Sequence, residues 1–265
     1  MLSSRQNPLA KQIRQLHQGK GRRELGAFLL EGSHLLQEAL ATGHPLEQVC
    51  ATPQWCDRHP DLVAALVDVR LEILSPELLE YVSTTVRPDG VLAIAPRRSK
   101  PQPPTDAQLL IAVETLQDPG NLGTIIRTAA AAGADGVWLS DDSVDPESPK
   151  VLRASAGQWF RQPVGLSPDL AVTLRQCQAA GMQIAATLPR ASHSLWDTDL
   201  ARPTVILLGN EGAGLSEQLA ALADCAVTIP QAVGVESLNV AISGALLLYE
   251  ARRQRLAAAG GHSGE

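Results

Sequence analysis

Aromatic residues are scarce in this chain: they make up only 3% of its 265 residues, although 45% of the residues are hydrophobic. An apolar core must therefore be built mainly from leucine, alanine, valine and isoleucine. No run of about 18 uncharged apolar residues is present, so the sequence predicts no transmembrane helix. Residues 1–8 also lack the apolar core of a secretion signal. We therefore expect a cytoplasmic protein.

Cysteine is equally scarce, with four residues and no Cys-x-x-Cys pair. Without a secretion signal, these cysteines are expected to be reduced thiols that pack as small apolar side chains. The six histidines share no ligand spacing with the cysteines. The sequence therefore predicts no metal site.

Acidic residues are missing from the first 23 positions, although the net charge of the whole chain is −6. Because salt screens charges beyond about 10 Å, this local basic arm matters more for binding than the total charge. The arm has two interpretations: a surface for phosphates, or a solvated and partly mobile terminus. Its basic residues are Arg5, Lys11, Arg14, Lys20, Arg22 and Arg23.

Prolines indicate a division of the chain into two domains. Four of them fall within residues 96–104, where neither a helix nor a central strand can continue. We predict an N-terminal domain at 1–96, a proline-rich linker at 97–106 and a second domain at 107–260. Both domains have ordinary sizes.

The N-terminal stretch has the pattern of a small α/β domain. Asn7 and Pro8 predict the start of a helix whose apolar face carries Leu9, Ile13 and Leu16. Basic residues of the arm then point outward from that helix. Further strands are predicted near 28–30, 46–51, 71–74 and 91–95, and helices near 35–40, 60–68 and 76–84.

The second stretch alternates strands and helices regularly, which is typical of a doubly wound α/β domain with a parallel sheet. Continuous apolar runs such as 205–208 indicate strands buried on both faces. In such sheets ligands bind beyond the carboxyl ends of the strands. The predicted strands are 109–115, 136–139, 183–187, 204–208 and 226–229, and the predicted helices are 121–132, 149–156, 169–180, 216–223 and 237–257.

Three motifs lie at such strand ends. In chain order they are Asp-Pro-Gly-Asn-Leu-Gly-Thr-Ile-Ile-Arg-Thr at 118–128, Leu-Gly-Asn-Glu-Gly-Ala-Gly-Leu-Ser at 208–216, and Ile-Pro-Gln-Ala-Val-Gly-Val-Glu-Ser-Leu-Asn-Val-Ala at 229–241. The second is either a cofactor loop or a tight strand-to-helix turn. Its glycine order and the missing acid after the next strand disfavour a dinucleotide site, and no Gly-Lys-Ser/Thr follows, which excludes a P-loop.

Polar residues in the first and third motifs need partners. Arg127 lies in an almost wholly apolar helix, so a carboxylate, a phosphate or solvent must satisfy it. Asn121 is predicted to cap that helix, and Ser237 to cap the last one. Asn239 then falls in the first turn of a helix that is apolar nearly all round, which is expected to be buried or to lie in a subunit interface.

These three motifs, in this order and spacing, resemble those of the SpoU (TrmH) family of RNA ribose methyltransferases, within the SPOUT superfamily. Residues 148–157 resemble a family segment between the first two motifs. Residues 1–96 are similar to the family's N-terminal RNA substrate-binding domain, with cues at 5–8, 31–32 and 90–93.

The resemblance implies a SPOUT-type parallel sheet with a trefoil knot, a homodimer in which the other subunit completes the site, and S-adenosylmethionine as cofactor. It implies methylation of a ribose 2′-hydroxyl in structured RNA, with rRNA expected and tRNA as the alternative. A non-catalytic RNA-binding protein and a nucleotide-dependent dehydrogenase remain as competing interpretations. The implied cofactor-binding residues are Leu208, Gly209, Gly214, Ile229 and Leu238.

The resemblance also implies the catalytic residues. In the family the arginine at the position of Arg127 is proposed to assist deprotonation while bound to an RNA phosphate. Because arginine keeps its proton up to a pH of about 12, we expect it to grip phosphate and stabilise the forming alkoxide. Asn121, Glu211, Ser237 and Asn239 are expected to orient Arg127, the ribose and the cofactor. The implied RNA-binding residues are Arg5, Lys11, Arg14, Arg22 and Arg23.

Overall fold

A computed structural model describes residues 1–97, 102–104, 107–188, 191 and 193–260. The chain divides into two compact units. The first contains Met1–Ser99 and Asp145–Arg161, and the second contains Lys100–Val144 and Gln162–Glu265. Most of the predicted linker at 97–106 lies outside the described residues.

The helices of the described residues are α1 Pro8–Leu16, α2 Gly19–Leu25, α3 Ser33–Ala41, α4 Pro53–Arg58, α5 Pro60–Ala64, α6 Pro76–Val82, α7 Pro119–Ala132, α8 Pro149–Ala154, α9 Leu170–Ala179, α10 Glu217–Ala220 and α11 Val240–Gly260. The strands are β1 Ala27–Glu31, β2 Gln48–Ala51, β3 Arg70–Ile73, β4 Val91–Pro96, β5 Leu109–Val113, β6 Gly136–Ser140, β7 Val164–Ser167, β8 Gln183–Thr187, β9 His193–Ser194, β10 Thr204–Leu208 and β11 Cys225–Thr228. Two short 3-10 turns cover Gln158–Phe160 and Leu195–Asp197.

The first unit is built on a four-stranded mixed sheet in the order β1-β4-β2-β3. Strands β1 and β2 run antiparallel to β4, and β3 runs parallel to β2. Helix α1 has the predicted start, because the Asn7 side chain accepts a hydrogen bond from the Leu9 backbone N–H. Its predicted apolar face is confirmed, with Ile13 and Leu16 buried in the core beside α6.

The first residues of the chain are held in place. The Leu2 N–H donates to the Ile73 carbonyl at 2.7 Å, and the Ser75 N–H donates to the Leu2 carbonyl at 2.8 Å. Because Asn7 then caps α1, the stretch between Leu2 and Asn7 is anchored at both ends. The interpretation of the basic arm as a partly mobile terminus is therefore wrong for this stretch.

One segment departs from the predicted division of the chain. Asp145–Arg161 falls within the stretch 107–260 that the sequence assigned to the second domain, yet it packs in the first unit. Ion pairs connect this segment to the rest of the first unit. The pairs are Arg22–Asp145, Arg97–Glu147, Arg153–Glu31 and Arg161–Glu38.

The second unit is a seven-stranded sheet in the order β7-β6-β5-β10-β8-β11-β9, and all its strand pairs are parallel. Side chains alternate between its faces. Leu110 and Ala112 pack with α9 and α10, whereas Ile111 contacts α11 at Gly244. Helices thus cover both faces, which explains the continuous apolar strands and confirms the predicted doubly wound architecture.

The prediction missed four elements. The edge strands β7 and β9 were not predicted. Strand β7 contains Gly165 and an exposed Leu166, and β9 has only two residues. Helix α2 begins with glycines that disfavour a helix, and α4 is short. In the described part of the chain, no helix is long and apolar enough to span a membrane.

Candidate functional site

The three motifs meet at one edge of the second unit's sheet. Strand β10 lies between β5 and β8, and β11 lies on the other side of β8. All four strands are parallel, so their carboxyl ends reach the same edge. The loops that leave β5, β10 and β11 carry the first, second and third motif respectively. The fold therefore brings the first and third motifs together, although Asn121 and Asn239 are 118 positions apart in the chain.

The glycine loop after β10 is a tight turn. Asn210 and Gly214 exchange backbone hydrogen bonds of 3.0 and 3.1 Å. The Asn210 side-chain oxygen accepts from the N–H groups of Gly212 and Ala213 at 2.8 and 2.9 Å. Gly214 has a φ of +72°, and a Cβ on Gly209 would lie 2.2 Å from the Gly214 carbonyl carbon. The turn itself thus requires both glycines.

The same loop also borders a cavity of about 490 Å³. Volumes of this size, roughly 300–1,000 Å³, are usual for small-molecule sites. The cavity lies between the second and third motifs, with Thr187 and Leu188 at the end of β8 completing its wall. All five residues predicted to bind a cofactor line it: Leu208, Gly209, Gly214, Ile229 and Leu238. The two interpretations of the glycine loop, tight turn and cofactor loop, are therefore compatible.

A chain of side-chain hydrogen bonds joins the three motifs beside this cavity. The Asn239 amide N–H donates to the Asn121 side-chain oxygen at 2.9 Å. The Asn121 amide N–H donates in turn to the Glu211 carboxylate at 3.1 Å. We call these three residues the amide chain. It fixes which end of each asparagine side chain is the donor.

Both predicted helix caps are wrong. Helix α7 is capped by Asp118, whose carboxylate accepts from the Asn121 backbone N–H at 2.9 Å. Helix α11 begins three residues after Ser237, and the Asn239 side-chain oxygen accepts from the N–H groups of Ala241 and Ile242 at 2.9 and 3.2 Å. Asn239 therefore has two functions, since its oxygen caps α11 while its nitrogen serves the amide chain.

The Glu211 carboxylate ties the second motif to the first. It accepts from the backbone N–H groups of Gln117 and Asp118 at 3.3 and 3.1 Å, in addition to Asn121. Burial raises the pKa of Glu211, but hydrogen bonds from its own backbone, Asn121, Asp118 and Gln117 outweigh burial and leave the pKa below its ordinary value. Glu211 is therefore ionised at neutral pH and acts only as an acceptor.

Within the described residues, neither Ser237 nor Arg127 takes part in the amide chain. Ser237 lines the cavity and is exposed. Arg127 is exposed and does not line the cavity. Within the described residues, its guanidinium makes no hydrogen bond or ion pair, so no structural salt bridge accounts for it there.

Helices α7 and α11 lie side by side in the same direction. Asn121 and Asn239 are bonded at their starts, and the Arg252 guanidinium donates to the Ala132 carbonyl at 3.3 Å further along both helices. Arg127, six residues beyond Asn121, is therefore level with the first third of α11, near Leu246. That helix exposes a stripe of apolar side chains, between 38% and 60% exposed, on the face turned away from the core. The stripe consists of Ile242, Leu246, Tyr249 and Leu256.

The residues predicted to bind RNA have different surroundings. Lys11 and Arg23 are exposed. Arg5 and Arg14 are also exposed, and both lie over the ring of Tyr81.

Arg22 does not fit the prediction, because its side chain is only 4% exposed. Its guanidinium donates to Asp145 at 2.6 and 2.9 Å and to the carbonyls of Leu16 and His17 at 2.9 and 3.1 Å. It is used inside the first unit and has no face left for a phosphate.

Sequence reasoning missed two residues with clear structural functions. Asn210 shapes the glycine loop and donates to the Thr115 carbonyl at 2.7 Å; an asparagine two residues before a glycine is a turn signal that could have revealed it. Nothing in the sequence marks Tyr81. Among the residues that the structure describes, no group of His, Cys, Asp and Glu is arranged to hold a metal ion.

Known families match both parts of the chain. Residues 108–249 match the SpoU rRNA Methylase family, and residues 7–93 match the MRM3-like substrate binding domain. A tRNA/rRNA methyltransferase of Synechocystis sp., named as uncharacterized, is 48% identical over 97% of this chain and 95% of its own length. The 23S rRNA (guanosine(2553)-2′-O)-methyltransferase of Bacillus subtilis is 31% identical over 95% of this chain and 98% of its own length.

Solved structures are similar over nearly the whole chain. The AdoMet-bound rRNA methyltransferase from Sinorhizobium meliloti superimposes with a TM-score of 0.85 and 34% identity, and the match covers 95% of this chain and 97% of that one. The similarity therefore includes both units.

Proposed function

Because this chain belongs to the SpoU rRNA methylase family, we propose that it transfers a methyl group from S-adenosylmethionine to a ribose 2′-hydroxyl of rRNA. The observation that carries this proposal is the cavity between the second and third motifs, beside the amide chain. A relative with the same fold has been solved with AdoMet bound.

The cavity suits this cofactor. Its wall combines apolar side chains such as Leu188 and Ile229 with backbone groups of the glycine loop, which suits a ligand with a flat base and polar ends. Glu211 and Glu236 add negative charge to the lining, which favours a cationic ligand. When bound, S-adenosylmethionine supplies a methyl group on a positively charged sulfur.

The residues around the cavity have separate tasks in this proposal. Leu208, Gly209, Gly214, Ile229 and Leu238 hold the cofactor. The amide chain keeps the three motifs in register, and Ser237, which lines the cavity, orients the ribose. The reacting oxygen must be held in line with the methyl group, so this positioning contributes much of the rate. The knotted path of the chain remains a prediction of the resemblance.

Arg127 would act on the RNA. Its guanidinium has all its N–H donors available within the described residues and matches the geometry of phosphate oxygens. It grips a phosphate next to the target ribose and stabilises the alkoxide as the 2′-hydroxyl proton leaves for solvent. Arginine holds its own proton too strongly to serve as the base.

We infer further that the protein is a homodimer built on the exposed stripe of α11. Arg127 lies outside the cavity of its own chain and level with that stripe, so a second copy seated on the stripe would receive Arg127 at its own site. Replacing Leu246 by Glu places a charge in the stripe. This variant is expected to elute as a monomer in light-scattering chromatography and to lose methyl transfer. A stable Leu246→Glu dimer would contradict this interface.

Methyl transfer from tritiated S-adenosylmethionine to purified rRNA tests the function. Label is expected in 2′-O-methylated nucleosides after complete digestion of the RNA. Label in a methylated base would contradict the reaction, and no transfer to any RNA would favour the non-catalytic RNA-binding protein. tRNA is assayed in parallel, because the Synechocystis relative is named for both RNAs. Tighter binding of NADH than of S-adenosylmethionine would favour the dehydrogenase instead. A cytoplasmic location remains a prediction of the sequence.

A further inference from the structure

Two arginines from different parts of the first unit lie over one tyrosine ring. The Cζ atom of Arg5 lies 4.5 Å from the centre of the Tyr81 ring, and so does the Cζ atom of Arg14. Arg14 also donates from Nη1 to the Tyr81 backbone carbonyl at 3.0 Å. A guanidinium over an aromatic face is attracted to it, so the ring holds both side chains in place.

Each part of this arrangement is fixed by the fold. Tyr81 lies in α6 and packs partly buried against the core of the first unit. Arg14 lies in α1, which packs on the same core, and Arg5 lies between the anchors at Leu2 and Asn7. Little side-chain entropy therefore remains to be lost when a ligand binds these arginines.

The positive charge of the two arginines is not neutralised within the described part of the chain. None of the ion pairs there includes Arg5 or Arg14, and no protein acceptor there receives a hydrogen bond from the Arg5 guanidinium. Lys11, three residues before Arg14 on the same helix, is exposed as well. The two like charges lie 4.5 Å from the same ring centre and repel each other, and an anion that contacts both would relieve that repulsion.

We propose that Arg5, Arg14 and Tyr81 form a clamp for phosphate groups in the backbone of the RNA substrate. We call it the phosphate clamp. The inference rests on the proposed function only in taking RNA as the partner. Each guanidinium presents a planar fork that fits phosphate oxygens, and such contacts position an RNA without reading its sequence. Tyr81 is a positioning residue, since it acts through the two arginines.

The test measures the affinity of the full-length protein for a labelled rRNA fragment at several salt concentrations. Arg5→Ala and Arg14→Ala should each lower the slope of log affinity against log salt by about 0.7–0.9, the value for one phosphate contact. Arg70→Ala is the matched control, because it removes one exposed guanidinium of the same unit that Glu72 already neutralises at 2.9 Å. The control should leave affinity and slope unchanged.

Two variants of Tyr81 separate the ring from the hydroxyl. Tyr81→Leu removes the ring but keeps an apolar side chain on the core, and it should weaken RNA binding roughly fivefold. Tyr81→Phe keeps the ring and should bind RNA like the wild type. In the Arg5→Ala/Arg14→Ala double variant, Tyr81→Leu should cause no further loss. Melting temperatures of all variants check that the first unit stays folded.

Three results would overturn the phosphate clamp. The first is unchanged RNA affinity and salt slope in both arginine variants, and the second is an equal loss of RNA affinity in Tyr81→Phe and Tyr81→Leu. The third is a roughly fivefold further loss of RNA affinity when Tyr81→Leu is added to the Arg5→Ala/Arg14→Ala double variant. Methyl transfer is measured on the same proteins, and the clamp variants should raise KM for RNA while kcat at saturating RNA is kept. If the wild type transfers no methyl group, the proposed function fails, while the RNA affinities still decide about the clamp.

Discussion

In the second unit, residues from three distant motifs meet because the strands that precede them are neighbours in one parallel sheet. In the first unit, basic residues of one short segment have different surroundings: Arg22 is buried in an ion pair with Asp145, whereas Arg14 lies over a tyrosine ring. Strand order places loop residues together, because every parallel strand delivers its loop to the same edge. The number of charges in a segment does not indicate which of them are buried in ion pairs within the fold.

The difference also concerns how each unit holds its polar groups. The candidate site of the second unit relies on neutral amides and backbone N–H groups around one ionised carboxylate, Glu211. The first unit relies on arginine–carboxylate pairs that tie Asp145–Arg161 to it. Changes in the amide chain should therefore alter function more than stability, and changes in the buried ion pair should do the reverse.

Arg127 gives the largest expected effect. Arg127→Ala should lower methyl transfer roughly 100- to 1,000-fold, the usual loss when one charge-stabilising donor is removed. Affinity for S-adenosylmethionine, measured by titration calorimetry, should stay within about twofold, because Arg127 does not line the cavity of its own chain. Arg175→Ala, an exposed arginine on α9, is the control and should retain activity. Parallel loss of cofactor binding and transfer would mean that Arg127 supports the fold instead.

Arg22 and Arg23 give the clearest contrast between a buried and an exposed charge, because they are adjacent and were predicted to act alike. Arg22→Ala leaves the Asp145 carboxylate without its guanidinium and should lower the free energy of unfolding by about 3 kcal/mol. Arg23→Ala should leave stability unchanged, since the side chain is exposed. Chemical denaturation of both variants checks this. Equal stabilities would show that the ion pair contributes nothing.

Substitution of Asn239 is expected to have a smaller effect, and it separates function from stability in the second unit. Asn239→Ala removes both the cap of α11 and the donor to Asn121, and should cost about 1 kcal/mol of stability as well as activity. Asn239→Ser keeps a capping oxygen, but the shorter side chain has no amide group to donate to the Asn121 side-chain oxygen. It should therefore retain most of the stability while methyl transfer falls about tenfold. If Asn239→Ser is as active as the wild type, the amide chain has no part in the reaction.

Much of the second unit could be predicted from the sequence. Strands β8 and β10 have the predicted bounds, because each contains a buried apolar run, at 184–186 in β8 and at 205–208 in β10. The residues that line the cavity could also be predicted, since glycines after a strand end indicate that the backbone approaches a ligand closely. The cap of α7 could not be predicted, because Asp118 and Asn121 are both good capping residues and only the path of the turn selects Asp118.

The first unit shows what sequence patterns omit. The partner of Arg22 lies 123 positions away, and no periodicity connects Arg22 with Asp145. The Tyr81 ring meets Arg14 only because α1 and α6 pack together in the fold. Long-range pairing of charges depends on the tertiary fold, so exposure of a basic residue cannot be inferred from its neighbours in the chain.

The most direct measurement is a crystal structure of the protein grown with S-adenosylmethionine. Density for the cofactor is expected in the cavity of about 490 Å³, against the backbone of Gly209, Ile229 and Leu238. Density for the cofactor at any other place, or a cavity that stays empty at saturating cofactor, would contradict this proposal.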